Sequence, residues 1–226
     1  MLKLIKLELA KHKIRGNILG GFIASFAILA FIILVNFDDE AFVSYKEVML
    51  VSNTFASITF TIFAATLLSK FIIDEFKSKT ITVLFMYPIS RKKLIAAKIT
   101  IVLVFTFLFI LVSNALSLTG FYIANHYLDF IQDELTITML REHVIRTIAS
   151  AVIASFISLV PLYFGMRKYS IPTTIVSAIV ITSILNSSSG TDFNLSSIVY
   201  IPATIAIIGA LIGYRTVRDI DHKDIT

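Results

Sequence analysis

Few side chains in this sequence are of a type and spacing that could do chemistry. Cysteine is absent, which excludes a thiol nucleophile, a thiolate metal site and a disulfide framework. His12, His126, His143 and His222 stand in four separate places, and no HExxH pattern links any two of them across a zinc ion. Gly16 and Gly21 have the GxxxxG spacing that opens a phosphate loop. Phe22 and Ile23 follow, however, where a lysine and a hydroxyl would be needed to hold phosphate and magnesium. The polar residues with a clear period are Asn53, Ser57 and Thr61 at i, i+4 and i+8, with Ser52, Thr59 and Thr66 on a second register. Such a stripe could wall a substrate path, or it could hydrogen-bond one helix to another. Both readings stand at this level.

The elements that must carry these residues are apolar. Of 226 residues, 57% are hydrophobic and only 15% charged, and the mean hydropathy is +0.87. A water-facing surface needs about 25% charged residues. Charge-free stretches recur between clusters of charge, each near the ~20 residues that a helix needs to cross about 30 Å of hydrocarbon. The fold class expected is an all-α integral membrane protein with six transmembrane helices, near 17–37, 51–73, 95–123, 147–166, 170–187 and 197–214. The whole chain, 1–226, reads as a single transmembrane domain. The first stretch is too long for a secretory signal core, and no stretch alternates with the period of a membrane β-barrel.

Positive charge sets the orientation. With both termini cytoplasmic, all but Lys46, Arg141 and Arg146 of the 20 Lys and Arg fall inside, while most of the acidic residues fall outside. The net charge of +5 therefore points to anionic lipid headgroups and not to nucleic acid. The outer stretch 124–146 spaces Leu128, Ile131, Leu135 and Met139 as a short surface helix would; a solvated linker with a few apolar residues is the alternative. Pro161 and Pro202 are expected to kink their spans. Gly209 and Gly213 give the last span a close-packing face. No span centre holds an ionisable residue of the kind proton-driven carriers use.

One cytoplasmic loop, between the second and third spans, has a pattern of its own. Residues 74–87 read as an amphipathic helix, with Ile73, Phe76, Thr80, Val83, Leu84 and Tyr87 on one arc and Glu75, Ser78, Lys79, Thr82 and Met86 on the other. Glu75 and Lys79 form an i, i+4 pair. Pro88 stops the helix, and Ser90 is placed to cap the next. A surface helix anchored in lipid would look the same.

The run from acidic Glu75 through Thr80 to Pro88-Ile89-Ser90-Arg91 and on to Lys98 resembles the membrane subunits of type-two ABC exporters. Lys79 stands where many members have glycine, as in the smaller permeases linked to bacitracin and lantibiotic resistance. The resemblance implies a dimer of six-span subunits, identical or paired with a second permease, in a bacterial cell membrane. It also implies a separate ATPase that holds ATP and magnesium and grips a cytoplasmic coupling helix near 74–87. Residues Glu75, Phe76, Lys79, Thr80, Val83, Leu84, Pro88, Ser90 and Arg91 are the coupling candidates, with Phe76 as anchor and Glu75 as charged contact. The chain itself would carry no catalytic site, cofactor or metal. Its function would be export of an amphipathic compound such as an antimicrobial peptide, with Asn53, Ser57 and Thr61 as candidate path residues. The alternative is a membrane immunity or accessory protein that binds its target without moving it.

Overall fold

The computed structural model describes Leu4, Glu8 and residues 14–37, 42–78, 90–131, 133, 135–186 and 200–218. Every regular element among them is helical. The order is α1 (Ile14–Val35), α2 (Tyr45–Leu68), a π-helical turn (Ser69–Ile73) leading directly into α3 (Asp74–Lys77), and α4 (Arg91–Leu128). Then come α5 (Ile137–Ile157), α6 (Val160–Lys168), α7 (Ile171–Asn186) and α8 (Tyr200–Arg218). Among the described residues, five stretches are long and apolar enough to cross a membrane: Arg15–Val35, Tyr45–Lys77, Lys92–Leu128, Ile137–Lys168 and Ile201–Arg218. The protein is multi-pass. The fifth expected span falls on α7, whose 16 residues cover about 24 Å, short of a hydrocarbon core about 30 Å thick.

The helices extend past their apolar cores. The 38 residues of α4 start and end beyond the stretch 95–123. No separate surface helix occupies the described part of 124–146. Leu128 closes α4, Asp129 adopts a left-handed φ of 47°, and α5 begins at Ile137. Asn125 organises this turn. Its Oδ1 accepts the Ile131 N–H at 2.8 Å, and its Nδ2 donates to the Ile131 carbonyl at 3.0 Å and to Tyr45 Oη at 2.9 Å. A side-chain amide here supplies the partners a continuing helix would have supplied.

Two compact units divide the chain. One comprises Met1–Ile14, Thr61–Thr106 and Ile153–Thr226, the other Arg15–Phe60 and Phe107–Val152. In the first, Leu68, Phe71, Ile72, Ile73, Ile95, Val102, Leu159 and Leu162 form the buried core. Pro161 lies just after a break at Ser158 and Leu159. Having no N–H, it cannot continue the ladder, and the turn tightens to i, i+3 bonds, Leu159 N–H to Phe156 O and Leu162 N–H to Leu159 O, both 3.1 Å. Ser158 Oγ adds a bond to Ser155 O at 2.6 Å. Gly209 packs onto this break so closely that a Cβ would run into the Phe156 carbonyl oxygen. Pro202, expected to kink its span, lies in the first described turn of α8.

The second unit is held by rings and amides. Phe109 meets Phe22 and Phe60 with centroids 5.6 Å away in each case. Tyr45 lies edge-on to Phe121 at 6.0 Å. Ser52 Oγ reaches Asn114 Oδ1 at 3.4 Å, and Ser150 Oγ donates to Asn53 Oδ1 at 2.7 Å.

Candidate functional site

The first unit contains a buried charge cluster centred on Lys98. This lysine stands on α4 between Ile95 and Val102, both fully buried core residues, so the helix turns its side chain inward with theirs. Its ammonium is fully buried. Burying an ammonium is costly unless each of its three N–H groups finds an acceptor. Here Nζ lies 2.7 Å from Glu75 Oε1, 3.1 Å from Glu8 Oε2 and 2.9 Å from the Phe71 carbonyl. Both carboxylate side chains are only 7% exposed.

The backbone around α3 shapes this cluster. Across Ser69–Ile73 the helix widens, and the Asp74 N–H bonds to Ser69 O, five residues back. Such a turn shifts the register of everything after it. Four of its five residues are buried, and the Phe71 carbonyl within it takes a hydrogen bond from Lys98. Glu75 and Phe76 follow at once, and both are buried. Phe76 stacks on Tyr169, centroids 5.8 Å apart and planes at 29°. Three separate parts of the chain thus meet: the segment before α1 through Glu8, the end of the α2–α3 rod through Glu75, and the start of α4 through Lys98.

The coupling candidates divide in two. Glu75 and Phe76, expected on opposite arcs of a loop helix, are both enclosed by this chain. Glu75 pairs with Lys98, and the i, i+4 partner expected for it, Lys79, lies outside the described residues. Lys79, Thr80, Val83, Leu84 and Pro88 lie outside the described residues, as does the expected helix beyond Ser78. Ser90 is exposed and precedes α4, its carbonyl accepting the Lys93 and Leu94 N–H groups at 3.0 and 3.3 Å. Arg91 opens α4.

The polar stripe is also split. Asn53 is bonded to Ser150, Ser57 is half-buried, and Thr61 is buried and belongs to the other unit. No sequence pattern marks Glu8 and Lys98 as partners. In the sequence Lys98 is a cytoplasmic cation and the last residue of the run that resembles ABC exporter subunits, and Leu94, Ile95 and Val102 at i−4, i−3 and i+4 give it an apolar arc. Nothing local marks Glu8. No group of three or more His, Asp or Glu side chains able to hold a metal ion occurs among the described residues.

The family model described as ABC-2 family transporter protein matches residues 4–186, which include Glu8, Glu75 and Lys98. The chain belongs to that family. As an ABC-2 permease it is the membrane subunit of a transporter, and this membership implies an ABC ATPase as its partner. The permease is also similar to YcbO of Bacillus subtilis (strain 168), described as an uncharacterized protein. The two are 40% identical in an alignment 228 residues long that covers 99% of this permease and 100% of YcbO. No solved structure matches it.

Proposed function

We propose that this ABC-2 permease is the membrane subunit of an exporter that moves an amphipathic compound, such as an antimicrobial peptide, out of or away from the membrane. A separate ABC ATPase, holding ATP and magnesium, drives it by gripping the segment between α3 and α4 on the cytoplasmic side. Two copies, or this permease and a second one, form the membrane part. Lipid headgroups take up the basic residues at the helix ends.

The observation that carries this reading is the ion pair between Lys98 and Glu75. It joins the two limbs that flank residues 79–89. A push on that segment would therefore act on the α2–α3 rod and on α4 together. Lys79, Thr80, Val83, Leu84, Pro88, Ser90 and Arg91 are the surface offered to the ATPase. Glu75 and Phe76, being enclosed, hold the base of that surface.

Leu84→Asp tests it. Charge placed in an apolar contact removes a partner's anchor, at about 2 kcal/mol or more. The variant should reach the membrane in normal amount and lose the co-purifying ATPase. ATPase recovered at the wild-type level would refute this interface. A wild-type protein that binds its target and recovers no ATPase would favour the immunity-protein alternative.

A further inference from the structure

The helix α6 ends in an unusual way. Tyr169 caps it with φ 45° and ψ 41°, in the left-handed region, and its N–H bonds to the Gly165 carbonyl. Glycine is the residue that enters this conformation freely at a helix end, because an L side chain crowds the following carbonyl. The cap needs only the backbone. Yet the chain keeps an aromatic ring here, which points to a task for the ring itself.

The ring lies on Phe76, the residue next to Glu75 at the base of the segment proposed to meet the ATPase. Behind the turn, α6 and α7 are locked together. A Cβ on Gly165 would collide with Thr174 Oγ1 and touch Ile73 Cδ1 at 3.1 Å, so the two helices and the π turn are in direct contact. Movement of the α3 limb thus meets a stiff hairpin of α6 and α7, and the Tyr169 ring is the piece of the turn that covers Phe76. We propose that Tyr169 is a positioning residue. It carries movement of the loop-bearing limb into the α6–α7 hairpin, and the strained backbone at this position keeps its ring over Phe76. The inference rests on the proposed function.

Glycine substitution separates the two roles of this residue. Tyr169→Gly keeps the cap, relieves the strain and deletes the ring, whereas Tyr169→Phe keeps the ring. Each variant is co-purified with its ATPase and placed in vesicles of phosphatidylethanolamine and phosphatidylglycerol. Two quantities are read: the Tm of the complex, and the change in ATP hydrolysis that the permease causes in its ATPase. Tyr169→Gly should retain its ATPase and a Tm at or above wild type, while the hydrolysis response falls about tenfold, within the usual range of coupling between sites. Tyr169→Phe should respond as wild type. A wild-type response from Tyr169→Gly would overturn the inference, leaving the residue a cap alone. Equal loss in Tyr169→Phe would also overturn it, as would a lowered Tm with loss of the complex in Tyr169→Gly. A wild-type permease that brings down no ATPase at all would overturn the proposed function, and this inference with it.

Discussion

Lys98 Nζ and Glu75 Oε1 lie 2.7 Å apart although 23 positions separate them in sequence, and neither side chain is more than 7% exposed. The pair fastens the end of the α2–α3 rod to the start of α4. A buried pair of this kind is expensive to assemble and more expensive to break.

Replacing Lys98 should therefore be more harmful than replacing either carboxylate. Lys98→Met leaves Glu75 and Glu8 buried together without the ammonium they share, a loss of about 3–5 kcal/mol by the usual cost of orphaning a buried charge. Glu75→Gln and Glu8→Gln each leave Lys98 a carboxylate and the Phe71 carbonyl, and should cost less. Thermal unfolding of the detergent-solubilised variants gives the order. Wild-type Tm values for all three would show that the cluster contributes nothing to the fold.

Gly209 should tolerate no side chain. A Cβ there meets the Phe156 carbonyl oxygen, while one on Gly16 meets nothing within 4 Å. Gly209→Ala is expected to lose about 1–3 kcal/mol through overpacking. Gly16→Ala should be neutral or gain up to about 1 kcal/mol from helix propensity. Both are read as midpoints of thermal aggregation. A neutral Gly209→Ala would mean that α8 does not press on the break at Ser158.

The Asn53–Ser150 hydrogen bond distinguishes packing from transport. A double-mutant cycle of Asn53→Ala and Ser150→Ala should give a coupling energy of about 0.6 kcal/mol, the average for such bonds between membrane helices. Transport should follow stability. Transport lost in Asn53→Ala at unchanged stability would return this residue to the wall of a substrate path.

The membrane class is plain from composition, and the break at Pro161 from proline's missing N–H. Helix lengths are less legible, because α4 and α5 continue beyond their apolar cores through exposed polar residues such as Lys92, Lys93, Arg141 and Glu142. The triad was hidden for a different reason. Lys98 looks like a topology-setting cation when charges are only counted, and Glu8 meets it through tertiary folding that no local period records. Phe76 was placed on the apolar arc, but the sequence could not say whether that arc closes on this chain or on a partner.

Orientation is open to direct measurement, since the chain has no cysteine of its own. With both termini inside, Ser188→Cys should react with an impermeant maleimide in intact cells and Ser78→Cys should not. The opposite labelling would invert the protein and move the segment between α3 and α4 away from any cytoplasmic ATPase.

The central claim is ATP-driven movement of an amphipathic compound by this permease with its ATPase. The most direct measurement uses vesicles that contain the co-purified complex and a fluorescently labelled cationic amphipathic peptide. Addition of ATP and magnesium should redistribute the peptide across or off the membrane, and the Leu84→Asp protein should fail to do so. Peptide bound at the wild-type level, with no ATP-dependent redistribution, would contradict the claim and leave a protein that binds its target without transporting it.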